Sequence, residues 1–116
     1  MHLNKDTTFF LKSKLMQICF NLYQIQLHFT NDIYISVGNK ISLQYAKQQY
    51  HVWDWTKGKA NVSFNSILEE DIIAVIFSST QNLELHFSNS EILTIFKGSN
   101  DAESYIVHHK EDFEVI

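Results

Sequence analysis

The amino-acid sequence predicts a mainly β domain. Its antiparallel meanders arise from an internal duplication and pack face to face as a sandwich or curl into a partial barrel, with at most one short helix; α+β is the alternative. Three observations carry that expectation. Ile25 to Val37 (IQLHFTNDIYISV) is written again at Leu83 to Ile95 (LELHFSNSEILTI), 58 positions on, so that Leu27 falls on Leu85, His28 on His86, Phe29 on Phe87 and Asn31 on Asn89. Apolar and polar residues alternate through both segments with the two-residue period of a strand that buries one face. The breaks between such segments are short and rich in Asn, Asp, Ser and Thr, which make turns through their own side-chain hydrogen bonds.

Carried backwards at the same offset, the match lays Leu15 to Phe20 on Ile73 to Ser78 without a gap. The repeat is thus expected over about 7–37 and 65–95 of a single domain, since 116 residues suffice for one modest core. In chain order, Thr7 to Phe10 leads through Leu11-Lys12-Ser13-Lys14 into a strand at Leu15 to Phe20. Ile25, Leu27 and Phe29 then face the core while His28 points outward. Thr30-Asn31-Asp32 makes a hairpin-length break before Ile33, Ile35 and Val37, and Gly38-Asn39-Lys40 turns into Ile41 to Tyr45.

The middle of the chain belongs to neither copy clearly. Tyr50 to Trp55 reads as an aromatic strand in which His51, Trp53 and Trp55 share a face, the tryptophans either buried under the sheet or anchoring a partner. The second copy opens on Ser66 and Glu69 at capping-box spacing, predicting one helical turn around Ile67 to Glu70. Ile72 to Phe77 is a continuous apolar run, suited to a strand covered on both faces. After Leu83 to Phe87 and Leu93 to Phe96, two last segments, Glu103 to His108 and Phe113 to Ile116, complete about ten strands.

Charge and composition exclude several functions. A net charge of −4 would repel a phosphate backbone, so nucleic acid is not expected as a direct partner. The single cysteine, Cys19, lies in an apolar run and reads as a small buried side chain in a reducing compartment. Asp6, Lys12, Lys14 and Gln17 interrupt any signal-peptide core, and no apolar span of about 20 residues occurs, which points to a soluble cytoplasmic protein without a membrane partner.

Chemistry-bearing clusters are few. His28 and His86 occupy the same outward position in the two copies and could approach one another as metal ligands, but no third or fourth ligand repeats beside them, so they read as surface histidines. His108-His109 with Glu111 and Asp112 reads as a solvated hairpin, because adjacent strand residues point to opposite faces. No G-x-S-x-G elbow or glycine-rich phosphate loop is present, so neither an enzyme nor a cofactor or metal site is expected. Acidic residues gather near turns at Glu69-Glu70-Asp71, at Asp101 and Glu103, and at Glu111-Asp112, where they could steer a basic partner.

The second copy resembles a group of small bacterial β-rich proteins of unknown function, some encoded beside polymorphic or contact-dependent toxins. The resemblance rests on Leu83-Glu84-Leu85-His86-Phe87-Ser88-Asn89-Ser90, on Ile92 to Ile95, and on Glu103-Ser104-Tyr105-Ile106-Val107, with Ser90 where that pattern has a turn glycine. It implies an immunity protein that binds a cognate toxin domain, expected to be a nuclease, and blocks its active site or substrate access. Trp53, Asp54, Trp55, Glu69, Glu70, Asp71, Asp101, Glu103, Glu111 and Asp112 are the expected partner-binding residues. A small-ligand-binding or enzymatic domain with a pocket between the copies, lined by the tryptophans and histidines, is the alternative.

Overall fold

The computed structural model describes residues 2–21, 24–45, 49–54, 64–98 and 104–116, with backbone alone at 45 and 49–54. Trp55, Asp101 and Glu103 lie outside the described residues. Ten strands are described: β1 (Leu15–Phe20), β2 (Ile25–Phe29), β3 (Ile33–Val37), β4 (Lys40–Tyr45), β5 (Gln49–Asp54), β6 (Ile72–Phe77), β7 (Leu83–Phe87), β8 (Ile92–Phe96), β9 (Tyr105–His109) and β10 (Asp112–Val115). They form two antiparallel sheets in the orders β1-β2-β3-β9-β10 and β5-β4-β8-β7-β6. The architecture is the mainly β, sandwich-like arrangement the alternation predicts, and not a closed barrel.

Each sheet is composite. The first takes three strands from the first copy and its last hairpin from the second; the other does the reverse. β9 lies against β3 with Val107 opposite Ile35 and Tyr105 opposite Val37, while β4 lies against β8 with Leu43 opposite Leu93 and Ile41 opposite Ile95. β4–β5 is therefore the closing hairpin of the first copy, and β9–β10 is that of the second. Only Gly38 and Asn39 separate β3 from β4. Three residue steps of about 3.3 Å match the roughly 10 Å between packed sheets, so this short link suffices to carry the chain across. The Gly38 N–H donates to Ser104 O (2.9 Å) at the crossing.

The inward faces make one core. Leu15, Ile25, Leu27, Ile35, Val37 and Val107 from one sheet meet Ile41, Leu43, Leu83, Leu85, Leu93 and Ile95 from the other, all fully buried. Phe10 and Ile67, one from the opening segment of each copy, are buried with them. Tyr105 is buried too, and its hydroxyl donates to Gln81 O (2.7 Å). Burial, with Glu114 adding, holds its phenol well above the usual tyrosine range.

Four local expectations are corrected. β1 pairs with β2 through a bulge between Leu15 and Gln17, and β6 pairs with β7 through a bulge between Ile72 and Ala74, so Leu15 corresponds to Ile72 and not to Ile73. The offset is 57 in this strand and 58 in the next, the extra residue lying in the turn after Phe77. A strand slipped by one residue turns every side chain to the other face, and Ile72 is 1% exposed where Ile73 is 60% exposed. β6 is also an edge strand with an open outer face, and not one covered on both sides.

The capping box does not form: Glu69 has φ 67°, and the Ser66 hydroxyl donates to Glu91 Oε2 (2.6 Å) instead of starting a helix. The short helical turn, of 3-10 type, is Thr8–Phe10, at the corresponding place in the first copy. Cys19, expected in the core, is half-buried on the outer face opposite Gln26.

Two substitutions distinguish the registers. Leu27→Ala should cost about 2–5 kcal/mol in denaturant unfolding, through lost burial and the cavity left behind. Ile73→Ala, at a bulge open to water, should stay within about 0.5 kcal/mol of wild type.

Candidate functional site

The pairing register lines up one row of side chains across the outer face of the first sheet. Gln17, His28, Tyr34, His108 and Phe113 stand opposite one another, strand by strand from β1 to β10. Their rings form a ladder. His28 stacks on Tyr34 (centroids 5.2 Å apart, 14° between planes), Tyr34 on His108 (3.9 Å, 9°), and Phe113 tilts toward His108 (6.0 Å, 33°). Cross-strand ring pairs of this kind stabilise a sheet by a few tenths to about 1 kcal/mol each. Phe113 nevertheless remains 59% exposed, and Val115 beside it on the same strand is also open.

The corresponding row on the other sheet is Ala74, His86, Ile92, Gln44 and Tyr50, the last placed by its backbone register alone. Both copies keep the histidine and its neighbour, with His28 Nε2 3.2 Å from Gln26 Oε1 and His86 Nε2 3.1 Å from Glu84 Oε1. Among the described side chains they differ at the centre of the row, where Ile92 and Gln44 stand in place of Tyr34 and His108. His28 and His86 leave different sheets on their outer faces, which separates them as ligands of one metal. No group of three His, Cys, Asp or Glu side chains suited to a metal occurs among the described residues.

His108 and His109 do point to opposite faces and are half-buried, while Lys110 to Phe113 of the same hairpin are exposed. His109 stacks on Phe9 (4.5 Å, 8°), while burial in the ladder lowers the His108 pKa and favours its neutral form. Hydrogen bonds from the Thr8 hydroxyl and N–H hold Asp6 below the usual carboxylate range, with His109 adding to the effect.

An open groove of about 760 Å³ borders the ladder. It is lined by His28, Phe29, Asp32, Ile33, Tyr34, Lys110 and Glu111, hence by both copies. The Lys110 N–H donates to Asp32 O (2.8 Å), tying the β9–β10 turn to the β2–β3 turn, and Asn31, Asp32 and Lys110 all take positive φ there. His28 of the first copy thus stands in the groove wall together with Lys110 and Glu111 of the second. A smaller groove of about 440 Å³ is lined by His2, Asn4, Phe77, Ser78, Ser79, Gln81 and Glu114.

The expected partner-binding residues separate into groups. Glu111 lines the groove, and Asp112 follows it in the same turn, accepting from the Phe113 N–H (2.9 Å). Glu69, Glu70 and Asp71 lie instead where the two copies join. The Glu69 N–H donates to Leu15 O, Glu70 Oε2 accepts from the Ser88 hydroxyl, and Asp71 is ion-paired with Lys14. Trp53 and Asp54 stand opposite Ile41 and Lys40 in the β4–β5 ladder. The alignment of Tyr34 with His108 and Phe113 carried no signal in the sequence, because only the pairing of β3 with β9 brings the β9–β10 hairpin beside Tyr34.

No protein-family model, curated protein or solved structure matches the chain. No helix among the described residues is long and apolar enough to cross a membrane.

The depressed His108 pKa has a signed consequence. The folded chain binds this proton less readily than the unfolded chain, so the stabilising effect is complete above the ordinary value of 6.5 and is lost as pH falls below it. Thermal melts from pH 8 to 5 should therefore show a steeper acid loss in wild type than in His108→Phe, which keeps a ring in the ladder without a titrating nitrogen. Parallel curves would remove this role for His108.

Proposed function

We propose that the protein is a non-catalytic binding module of the immunity type, which docks a cognate toxin domain on the outer face of the first sheet. The ring row supports this reading: among the described side chains, Tyr34 and His108 stand on one face where Ile92 and Gln44 stand on the other, built on the same plan. A duplicated scaffold needs its inward pattern twice, and here Leu27, Phe29, Ile35 and Val37 are matched by Leu85, Phe87, Leu93 and Ile95, all buried. The outward face is free to diverge. Tyr34, His108 and Phe113 are the ring-bearing, partly open side chains that anchor protein interfaces at low entropic cost. Asp32, Glu111 and Asp112 at its margin, with the overall charge of −4, favour a basic partner and speed its encounter. The toxin reading itself rests on the family resemblance of the second copy.

The test is capture of the neighbouring gene product together with protection on co-expression. Tyr34→Ala and His108→Ala should each raise the dissociation constant about 30-fold, corresponding to roughly 2 kcal/mol for a buried interface anchor. His86→Ala on the other sheet should leave it within about threefold, as expected of a position outside the interface. Equal losses from both faces, or no capture and no protection, would reject the proposal.

A second reading is favoured by the groove between the two turns, which both copies line. A small ligand held there would raise the melting temperature in a metabolite screen by mass action, and Asp32→Ala should abolish that shift.

A further inference from the structure

We propose that the two halves of the chain are complementary partners, each recognising the other through an open sheet edge and a charge-matched seam. The protein then reassembles from separate half-chains and pairs unlike halves in preference to like ones.

The open edge comes from the exchanged hairpins. In the first half alone, the sheet would end at β3, whose Ile33, Ile35 and Val37 are buried and whose ladder partner β9 belongs to the second half. In the second half alone, β8 would lose β4 in the same way. An unpaired central edge with buried side chains demands a strand, and each half carries the one the other lacks.

The seam is reciprocal. The Lys12 N–H donates to Ile72 O (2.9 Å) and the Glu69 N–H donates to Leu15 O (2.9 Å). Lys12 corresponds to Glu69 and Leu15 to Ile72, so exchanging the copies turns one bond into the other, as across a two-fold dimer interface. Lys12 and Glu69 also share the left-handed conformation, with φ 68° and 67°. At the centre Lys14 bridges to Asp71, its own counterpart.

A residue on such an axis meets its equivalent, so like halves would set Lys14 against lysine or Asp71 against aspartate. Around this pair, Lys12-Ser13-Lys14 in one half corresponds to Glu69-Glu70-Asp71 in the other. With side chains 45% and 44% exposed, the Lys14–Asp71 pair adds little stability. Its effect is selection, since like charges brought together at an interface penalise the wrong pairing.

The test begins with the full chain, carrying a protease site inserted between Gly58 and Lys59 and cut after folding. The cut protein should elute as the uncut one does, and after denaturation and dilution native mass spectrometry should recover one first half with one second half. Lys12→Glu with Lys14→Asp should weaken the cut complex several-fold at low salt. Glu69→Lys with Asp71→Lys should do the same, and the two sets together should restore it.

If refolded halves aggregate, dilution of the native cut complex gives the dissociation constants directly. Separation into two folded monomers on cutting, or like-with-like pairs forming as readily, would overturn the proposal. Charge reversal without effect at low salt would overturn the role of the seam.

Discussion

The antiparallel pairing of β3 with β9, matched by that of β8 with β4, is the constraint on which the rest of the structure depends. These two ladders are the only ones in which a strand of one copy bonds a strand of the other within a described sheet. Without them each copy would hold a three-stranded sheet and a detached hairpin, with backbone groups of β3 and β8 left unpaired beside buried aliphatic side chains. Such groups cost more unmade than they contribute when made, so neither half has an economical structure alone. The core has the same dependence, because Tyr105 and Val107 complete the inward face of the sheet that Leu27 and Ile35 begin.

What the sequence showed of this follows from how local the determinants are. The alternation in Ile25 to Phe29 and Leu83 to Phe87 is set by burial of one strand face, and it is preserved in both copies, so strand identity and inward direction were legible. The offset of β1 against β6 was not, since one extra turn residue after Phe77 shifts the register, and an apolar run such as Ile72 to Phe77 offers no polar residue to reveal it. The equivalence of the two closing hairpins escaped detection for another reason. Ile41 and Leu43 answer to Tyr105 and Val107, 64 positions apart where the preceding strands are 58 apart, and these pairs share burial but not residue type. Serine and glutamate at capping-box spacing predicted a helix, but the Ser66 hydroxyl is taken by Glu91 of the same copy and the Glu69 N–H by Leu15 of the other, and those long-range demands override local propensity.

The candidate site was legible only in part, and the reason is the same exchange. His28 and His86 announced an outward position, and Glu111 and Asp112 announced an exposed turn. The row itself joins Tyr34 to His108, residues far apart in sequence whose alignment depends on the β3–β9 register. Acidic character alone pointed equally to Glu69-Glu70-Asp71, yet there Asp71 answers Lys14 and Glu70 answers the Ser88 hydroxyl of the same chain. An acidic turn thus identifies a partner surface only when the fold has not already supplied the opposing charge.

Duplication within one chain permits two arrangements that a pair of identical subunits cannot adopt. An axial position can hold lysine on one side and aspartate on the other, as Lys14 and Asp71 do. One outer face can also be changed without its counterpart, as Tyr34 and His108 show against Ile92 and Gln44. Both depend on the halves staying distinct. The ring row takes His28 and Tyr34 from the first copy and His108 and Phe113 from the second, so it exists only where unlike halves have exchanged hairpins. Like halves would rebuild the sandwich with other rows in its place. The seam charges that select unlike halves therefore also preserve the ring row, although they lie in a different part of the molecule and contribute little to its stability.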